Sequence, residues 1–303
     1  MKDMVIIGAG PAGLGAAIYA TRAKLDAVVI EQNYMSGGQI INTYEVDNYA
    51  GIPGVSGFDL AQKMHDHAGQ LGAEFINAEV TDISLDGEVK KITADGNIYE
   101  TRTVVIASGA SHKKLGIPGE EELSGKGVSY CATCDGAFFK GQDAVVMGGG
   151  NVAVEDAIFL ARGCRKVYVV HRRDELRADK VLQEKLFSLD NVELIWNSVP
   201  VSIEGDVSVT GIVTENRKDG SVRKTDVSGV FIAVGIEPQS GIFAGKLAMD
   251  ESGYIIAGEN CETSIPGVFA AGDVRTKQLR QVITAVSDGA NAVTSAQRYM
   301  VRN

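Results

Sequence analysis

Two glycine-rich turns constrain the fold of this chain more than any other feature of its sequence. The first is Gly8-Ala9-Gly10-Pro11-Ala12-Gly13, and the second is Gly148-Gly149-Gly150-Asn151-Val152-Ala153. Each lies between a short apolar run and a stretch with helical character. Glycines at such positions allow a tight turn, a close approach of the backbone to a pyrophosphate, and close packing of helix on strand. The chain therefore predicts two dinucleotide-binding units.

The first turn lies in a complete strand-turn-helix-strand pattern. Residues 4–7 form an apolar run, residues 14–23 have helical character, and residues 27–30 form a second apolar run that ends at Glu31. A glycine fingerprint alone is weak evidence, because a simple strand-turn-helix corner carries the same glycines. Glu31, about 20 residues further along, is placed to accept a hydrogen bond from a ribose hydroxyl. The combination predicts an adenine dinucleotide site.

The second turn has the same surroundings but a different ending. Its apolar runs are residues 144–147 and 167–170, with helical character over residues 153–162, and it ends in His171-Arg172-Arg173 with Arg177 one turn further along. Cationic side chains at the ribose end suit a 2′-phosphate, which a carboxylate there would repel. The segment therefore predicts a site that prefers NADPH to NADH. The alternative is a solvated basic face at the start of a helix.

A cysteine pair, Cys131-Ala132-Thr133-Cys134, lies just before the second turn. Two thiols one helical turn apart can close a small disulfide, and a helix N-terminus favours the thiolate of the nearer one. Zinc would need two more ligands at comparable spacing, and the paired histidines His65 and His67 fit a helix surface better. We therefore expect a redox dithiol and no metal. Asp135 follows directly, and we interpret it as a proton donor to the dithiol.

Three further apolar segments indicate how the units are arranged. Residues 104–109 and 229–235 each look like a strand that returns to the sheet of its own unit, and residues 267–273 form a third such segment. The simplest assembly gives the third segment to the first domain. This predicts an α/β fold with two Rossmann-like three-layer dinucleotide-binding domains. The first domain comprises residues 1–115 and 244–303, and the second, residues 116–243, is inserted into it.

Composition excludes several classes of protein. The formal net charge of −10 argues against nonspecific binding to nucleic acid, which needs a clustered basic surface. We find neither a signal-peptide pattern nor an apolar stretch of about 18 residues, so we expect a cytoplasmic protein with no membrane segment. Cys164 and Cys261 have no close partner in the sequence and are interpreted as packed thiols.

Taken together, the motifs identify a resemblance. They are GAGPAG at 8–13, SGGQ at 36–39, DNYAG at 47–51, CATCD at 131–135, GGGNVAVEDA at 148–157, HRRDELR at 171–177, FAAGDV at 269–274 and RQVITAVSDGANA at 280–292. With them, the chain resembles the low-molecular-weight, bacterial-type thioredoxin reductases over essentially its full length. The resemblance implies FAD in the first site, NADPH in the second, thioredoxin or a thioredoxin-like protein as partner, and a homodimer.

The resemblance also implies roles for individual residues. Cys134 would be the thiol next to the flavin and Cys131 the thiol that attacks the partner's disulfide, with Asp135 as the third catalytic residue. The residues expected at FAD are Gly8, Gly10, Pro11, Ala12, Gly13, Glu31, Gly38, Gln39, Asn48, Val80, Ala107, Gly109, Asp273, Arg280, Gln281 and Val282. The residues expected at NADPH are Gly148, Gly150, Asn151, Val152, His171, Arg172, Arg173, Arg177 and Gly235.

Three positions depart from the family pattern. Ala50 replaces a common proline, Ala137 replaces an aromatic residue found in some members, and Val152 replaces a serine or threonine that could bond a phosphate. None of these changes removes a catalytic group. Near the cysteine pair, Phe138 and Phe139 fit either partner docking or core packing equally well.

Other functions share parts of this pattern. A flavin dithiol oxidase would use the same FAD fold and cysteine pair without the arginines at 172 and 173. A reductase fed by ferredoxin would typically lose the second glycine turn as well. A redox-sensing flavoprotein would need neither a reactive dithiol nor rapid hydride entry. An alkyl hydroperoxide reductase flavoprotein would carry an additional N-terminal domain, which we do not expect here.

Overall fold

The computed structural model describes residues 1–43, 46 and 48–302. The described residues form two compact units. The first unit comprises Met1–Ser111 and Glu237–Asn303, and the second comprises His112–Ile236. The second unit is therefore inserted between the two parts of the first. Asp47 of the DNYAG motif lies outside the described residues.

The elements are numbered in chain order. The strands are β1 (Lys2–Ile7), β2 (Ala27–Glu31), β3 (Glu74–Asn77), β4 (Val80–Ser84), β5 (Lys90–Ala94), β6 (Asn97–Ile106), β7 (Ala110–His112), β8 (Val128–Ser129), β9 (Asp143–Met147), β10 (Lys166–Val170), β11 (Val192–Ile195), β12 (Ser198–Gly205), β13 (Val209–Asn216), β14 (Val222–Asp226), β15 (Gly229–Ile232), β16 (Ile236–Pro238) and β17 (Val268–Ala270). The α-helices are α1 (Pro11–Arg22), α2 (Gly57–Gln70), α3 (Ala132–Asp135), α4 (Asn151–Ala161), α5 (Lys180–Phe187) and α6 (Val282–Arg302). Short 3-10 helices cover Gly38–Asn42, Gly136–Phe139, Gly241–Phe243 and Gly272–Val274.

In the described part of the first unit, seven strands form one sheet in the order β3-β2-β1-β6-β5-β4, and β17 also pairs with β6. The pairs β1 with β2, β1 with β6, β2 with β3, and β17 with β6 are parallel, whereas β4 and β5 form an antiparallel hairpin that continues onto β6. β6 is long enough to pair with β5 along its first half and with β17 along its second half. The segment expected to return to the first sheet thus pairs there as β17.

Alternation along the strands of the first unit produces two apolar faces. Met4 and Ile6 of β1 belong to a core shared with α1, α2 and α6. Val5 and Ile7 belong to a second core that includes Phe243 and residues of β4 and β5. Because neighbouring strand residues point to opposite faces, a strand buried on both sides reads as a continuous apolar run.

The second unit is described in full and also has three layers. Its central sheet has five parallel strands in the order β11-β10-β9-β15-β8, and β12, β13 and β14 form a separate antiparallel sheet. α4 and α5 share one core with the central sheet, and residues of β12 and β13 share the other. Two units of this kind, one inserted into the other, confirm the predicted α/β fold class. Among the described residues, no helix combines the length and apolar character that crossing a membrane requires.

Both glycine turns start their helices earlier than the hydrophobic pattern predicts. α1 begins at Pro11 rather than at residue 14, and α4 begins at Asn151 rather than at residue 153. Gly10 and Gly150 occupy the N-cap positions in extended conformations. Proline fits the first helical position because the N–H that it lacks would have no partner inside the helix.

A buried charge cluster connects α6 to the segment after β17. The carboxylate of Asp288 accepts hydrogen bonds from Arg275 at 2.7 and 2.9 Å, from Lys277 at 2.8 Å and from the N–H of Gly272 at 2.9 Å. All three charged side chains are buried. Burial would raise the pKa of Asp288, but the hydrogen bonds and charges of Arg275 and Lys277 outweigh it and lower that pKa below its usual value. The cluster fixes the Gly272–Val274 turn against α6.

Replacing Asp288 should be costly because it leaves two buried cations without their counterion. We expect Asp288→Asn to lower the free energy of unfolding by about 3–5 kcal/mol, measured by urea denaturation. As the pKa of Asp288 is lowered in the folded protein, its contribution is present above the unfolded pKa and is lost as the pH falls through the folded value. The control is Asp26→Asn at the exposed ion pair with Lys2, where we expect the free energy of unfolding to fall by less than about 1 kcal/mol. Equal effects of the two substitutions would contradict the role assigned to the cluster.

Candidate functional site

The first glycine turn combines two closely packed glycines with an open one. A Cβ atom on Gly8 would lie 2.5 Å from the carbonyl oxygen of Ala107, and one on Gly13 would lie 1.8 Å from the carbonyl oxygen of Gly8. A Cβ on Gly10 would meet no atom within 4 Å. No side chain caps the N-terminus of α1, and Pro11 has no N–H. The free N–H groups of the first helical turn and the open face of Gly10 together form a concave site for an anion.

Glu31 lies directly beside this turn. Its carboxylate accepts hydrogen bonds from the N–H of Ala9 at 2.6 Å and from the backbone and side chain of Asn33, each at 2.8 Å. The N–H of Ala78 donates to the Glu31 carbonyl oxygen at 3.0 Å, which brings the chain leading to Val80 close to the end of β2. The acid singled out in the sequence is therefore within reach of a ligand on the glycine turn.

Gly38, which is expected at the first site, approaches the same turn together with Gly37 and Gly272. A Cβ on Gly38 would lie 3.4 Å from the Cα of Gly10, and the neighbouring Gly37 N–H donates to the carbonyl oxygen of Ala9 at 2.8 Å. A Cβ on Gly272 would meet the Cβ of Ala12 at 2.8 Å. Other residues expected at the first site have partners elsewhere in the first unit. The Gln39 side chain donates a hydrogen bond to the carbonyl oxygen of Ala110, and Asn48 donates one to Gln281 at 3.0 Å. Gly109, two residues after Ala107, has a left-handed backbone conformation.

Asp273 and Arg280, which are also expected at the first site, each have a buried polar atom without a partner among the described residues. Oδ1 of Asp273 and Nε of Arg280 are buried with no hydrogen-bond partner among the described residues. Burial raises the pKa of Asp273, although Lys277 and Arg280 oppose the shift. The guanidinium of Arg280 lies 4.1 Å from the centre of the Tyr254 ring, a contact that the sequence did not suggest. Since buried polar groups are normally paired, these atoms fit a site that accepts a polar ligand.

The second glycine turn repeats the first. A Cβ on Gly148 would lie 2.5 Å from the carbonyl oxygen of Ala233, whereas one on Gly150 would meet nothing within 4 Å. No side chain caps α4. Ala153 takes the place of the third glycine of the first turn and is fully buried. The second unit therefore presents the same concave anion site at a helix N-terminus.

The basic segment after β10 is attached to this second turn by hydrogen bonds. The N–H of Arg177 donates to the carbonyl oxygen of Gly149 at 2.7 Å. The side chain of Asn151 exchanges two hydrogen bonds with Asp179, at 2.8 and 2.9 Å. Arg172, Arg173 and Arg177 are exposed. Val152 is 58% exposed, and Gly235 has a φ of 124°, close to the end of β15.

His171 differs from the arginines that follow it. Its ring is buried directly beneath Gly149, where a Cβ atom would lie 2.3 Å from Nδ1. Burial lowers its pKa, and the charges of Arg177, Arg173 and Arg172 lower it further. His171 is therefore neutral near pH 7, and its position requires glycine at residue 149. The positive charge of this site comes from the arginines.

The cysteine pair forms a disulfide in the second unit. Cys131 and Cys134 are bonded, and Cys131 is the N-cap of the short helix α3. Its carbonyl oxygen accepts hydrogen bonds from the N–H groups of Cys134 at 3.2 Å and Asp135 at 3.1 Å. Cys164 and Cys261 are free and buried. Within the described ranges, no group of three or more metal-ligating side chains is close enough to hold a metal ion.

Asp135 and Ser129 form a polar pair beside the disulfide. The hydroxyl of Ser129 lies 2.6 Å from Oδ2 of Asp135, and the N–H of Cys131 donates to that hydroxyl at 3.1 Å. Oδ1 of Asp135 is buried without a hydrogen-bond partner in the described part of the chain. Burial raises the pKa of Asp135, and the Ser129 hydrogen bond partly offsets that effect. A protonated acid near a nascent thiolate can deliver a proton to it. Ser129 could not be singled out from the sequence, because a serine two residues before the first cysteine carries no distinctive pattern.

The two phenylalanines after Asp135 have different environments. Phe138 is 40% exposed. Phe139 packs edge-on against Phe231 of β15, with ring centroids 5.2 Å apart. Of the two side chains, that of Phe138 is the more exposed.

Comparison with known proteins connects this arrangement to a family. The model of the pyridine nucleotide-disulphide oxidoreductase family matches residues 2–289. A thioredoxin reductase of Listeria monocytogenes is 48% identical over 299 residues, which cover 98% of this chain and 93% of that protein. A thioredoxin reductase of Peptoclostridium acidaminophilum is 45% identical over 308 residues, covering 99% and 98%. The crystal structure of a thioredoxin reductase from Streptococcus pyogenes has a TM-score of 0.95 at 46% identity and covers 100% of this chain and 99% of that one.

The glycines of the first turn allow a paired test of its geometry. Gly13→Ala places a methyl group 1.8 Å from a backbone oxygen, so we expect it to lower the free energy of unfolding by about 3 kcal/mol or more. Gly10→Ala meets no atom and keeps an ordinary φ of −71°, so we expect a change of about 1 kcal/mol or less. Urea denaturation of both variants gives the comparison. Similar losses at the two positions would show that the space beside Gly10 is not open.

Proposed function

This chain belongs to the pyridine nucleotide-disulphide oxidoreductase family and, within it, to the thioredoxin reductases, and from that premise we propose that it uses NADPH and FAD to reduce the disulfide of a thioredoxin or thioredoxin-like protein. The observation that carries the proposal is the Cys131–Cys134 disulfide next to a half-buried acid, Asp135, in the same unit as a glycine turn with an arginine cluster.

FAD is the ligand that we propose for the first unit. Its pyrophosphate would meet the free N–H groups of α1 at the open face of Gly10, and Glu31 would accept from its ribose. Oδ1 of Asp273 and Nε of Arg280, which have no hydrogen-bond partner among the described residues, would supply further polar contacts. A small anion could be bound by the helix N-terminus alone. The additional polar atoms of Asp273 and Arg280 therefore favour a polar, elongated ligand.

NADPH is the ligand that we propose for the second unit. Its pyrophosphate would lie at the open face of Gly150, and its 2′-phosphate would meet the exposed guanidinium groups of Arg172, Arg173 and Arg177. The hydrogen bond from Arg177 to Gly149 and the paired hydrogen bonds between Asn151 and Asp179 connect the arginine segment to the turn. This cluster favours NADPH entry over the ferredoxin-fed and oxidase alternatives, neither of which needs it.

The disulfide of Cys131 and Cys134 is the proposed acceptor of electrons. When bound, FAD would supply the hydride and electron-transfer chemistry that connects NADPH to this disulfide. Reduction breaks the bond between the sulfur atoms of Cys131 and Cys134, and two electrons and two protons yield two thiols. Cys131 then attacks the disulfide of the partner as a thiolate, and the resulting mixed disulfide is resolved by Cys134.

Asp135 is the residue that we propose to deliver one of these protons. Because burial raises its pKa, the protonated form persists to a higher pH than that of an exposed carboxyl. A proton passed to a nascent thiolate prevents that thiolate from closing the disulfide again. The carboxylate that remains keeps the hydrogen bond of Ser129.

Three further statements complete the proposal. Phe138, exposed three residues after Asp135, is the contact that we propose for the thioredoxin partner. We also propose a homodimer and a cytoplasmic location, which the family resemblance supports. A reducing compartment suits a protein whose other cysteines, Cys164 and Cys261, are unbridged and buried.

An anaerobic titration with NADPH tests the route of electrons. We expect two equivalents of NADPH per chain to yield two new thiols and to bleach the flavin absorbance, because the first electron pair ends on the Cys131–Cys134 disulfide and the second remains on the flavin. Thiol counting with and without NADPH gives the stoichiometry. The control is the Cys134→Ser variant, in which NADPH should bleach the flavin without the two new thiols. Flavin that stays oxidised with NADPH but is bleached by dithionite would overturn the proposed entry route.

The arginine cluster allows a separate test of cofactor choice. We expect Arg172→Ala combined with Arg173→Ala to raise KM for NADPH by about a hundredfold or more, since each of the two charged hydrogen bonds contributes about 1.5–3 kcal/mol. KM for NADH should change less than about threefold, because NADH lacks the 2′-phosphate. Arg165→Ala is the control, as Arg165 pairs with Asp143 before β10, at the opposite end of that strand. An equal rise in both KM values would show that the arginines do not bind the 2′-phosphate.

A further inference from the structure

Ser129 is a buried polar residue whose contacts extend beyond its hydrogen bond to the proposed acid, Asp135. It ends β8, is 5% exposed, and lies two residues before Cys131. Its hydroxyl oxygen accepts from the N–H of Cys131 at 3.1 Å. The same oxygen lies 2.6 Å from Oδ2 of Asp135 and 3.3 Å from the carbonyl oxygen of Cys131. One hydroxyl group therefore contacts both the acid and the backbone of the attacking cysteine.

The hydroxyl of Ser129 has two acceptors but a single hydrogen. When Asp135 is ionised, the hydroxyl donates to the carboxylate, which is the shorter and charge-assisted hydrogen bond. When Asp135 carries a proton on Oδ2, that proton can be donated to the hydroxyl oxygen, and the hydroxyl hydrogen turns to the carbonyl oxygen of Cys131. Oδ2 of Asp135 is therefore hydrogen-bonded to the Ser129 hydroxyl whether the acid is ionised or protonated.

We propose that Ser129 is a positioning residue whose hydroxyl turns between Asp135 and the Cys131 carbonyl as Asp135 releases and regains its proton. This inference rests on the proposed function, since it assumes that Asp135 is the acid of disulfide reduction. As the sulfur–sulfur bond breaks, one proton moves from Asp135 to a nascent thiolate and the hydroxyl turns toward the new carboxylate. Asp135 then regains a proton from water, and the hydroxyl turns back.

The cost of an unpaired group explains why such a residue is needed. A buried carboxylate with no donor is strongly disfavoured, so an acid in this position would hold its proton too tightly to release it. Because Oδ1 of Asp135 has no partner among the described residues, Ser129 supplies the hydrogen bond that stabilises the ionised form. The same residue also fixes the Cys131 N–H at the start of α3.

Other titratable groups lie on the elements packed around Asp135 and must be separated from it experimentally. They are Tyr130, whose hydroxyl donates to Glu120, together with Lys140, Glu155 and Asp156. Burial and the Ser129 hydrogen bond are the causes of the shifted pKa of Asp135, and none of these groups is among them. Burial, with a smaller effect of Glu155, raises the pKa of Asp156 to about 7, so an Asp156→Asn control is required.

The test is the pH dependence of disulfide reduction, measured in two ways. NADPH-driven reduction of thioredoxin is followed for the wild type, Ser129→Ala, Asp135→Asn and the double variant. In parallel, dithiothreitol reduces the Cys131–Cys134 disulfide of the same proteins, and the thiols are counted. The second assay needs no hydride transfer from nucleotide, and its rates are compared with the wild type at each pH.

The expected result has a definite sign. The rate of the wild type should fall as the pH rises through the pKa of Asp135, and we call this falling part of the pH–rate profile the limb. Asp135→Asn should lack the limb, whereas Asp156→Asn should retain it. Ser129→Ala removes the donor to the carboxylate, which raises the pKa of Asp135, so its limb should move up by about one pH unit. Because Asp135 is then a weaker acid, the rate below the limb should fall roughly threefold. In the Asp135→Asn background, Ser129→Ala should have no further effect on the limb or the rate.

A second pair of variants separates the hydroxyl from the shape of the side chain. Ser129→Thr and Ser129→Val have nearly the same shape and both suit a strand, but only the first retains a hydroxyl. We expect Ser129→Thr to keep the wild-type limb and Ser129→Val to shift it. This pair also serves if Ser129→Ala does not fold.

Two outcomes would overturn the assignment of Ser129. One is a limb that stays in place in Ser129→Ala or Ser129→Val, and the other is an equal loss of rate with and without Asp135. A different outcome bears on the proposed function alone. If the wild type fails to reduce thioredoxin with NADPH while the dithiothreitol assay shows the expected shifts, the function is wrong and the role of Ser129 stands.

Discussion

The close approach of backbone to backbone at Gly8, Gly13 and Gly148 is the constraint on which the rest of the structure depends. A side chain at any of them would collide with a carbonyl oxygen or with neighbouring atoms less than 3 Å away. Where this contact is made, strand and helix are held at a fixed distance, and the uncapped end of the helix faces outward beside Gly10 or Gly150. The same steric requirement thus builds two sites for phosphate groups in one chain.

Three carboxylates of this protein, those of Asp288, Asp135 and Asp273, separate into two groups by their hydrogen bonds. Asp288 has its hydrogen bonds supplied by Arg275, Lys277 and Gly272, and its pKa is lowered, so it serves the architecture of the first unit. Asp135 and Asp273 each keep one buried oxygen without a partner in the described residues, and burial raises the pKa of both. A folded protein retains such a group only when its surroundings fix it, and sites of chemistry and ligand binding are where this is expected.

Much of the fold could be predicted from the sequence because the pattern and the structure have the same cause. The apolar runs at β1, β2, β9 and β10 predict strands buried on both faces, and the helices α1 and α4 follow their glycine turns as expected. Helix starts were placed two or three residues late, since both helices begin inside their glycine turns, where hydrophobic periodicity gives no signal. The sequence could not distinguish Phe138 from Phe139, because only the position of Phe231 in β15 decides which ring is covered. The sequence places His171 next to the cationic arginines, whereas in the structure its ring lies beneath Gly149.

By itself, the sequence determined the candidate site residues that lie close together along the chain: the two glycine turns, the Cys131 and Cys134 pair with the adjacent Asp135, and the arginines after β10. These are short-range patterns in which chain spacing fixes geometry. Only the tertiary structure decided which distant residues complete each site, such as Asn48 with Gln281 and Asp288 with Arg275. It also decided that Ser129 faces Asp135, a contact between the end of β8 and the end of α3. The physical reason is that packing brings together side chains from separate elements, and their burial then sets the protonation and pairing on which function depends.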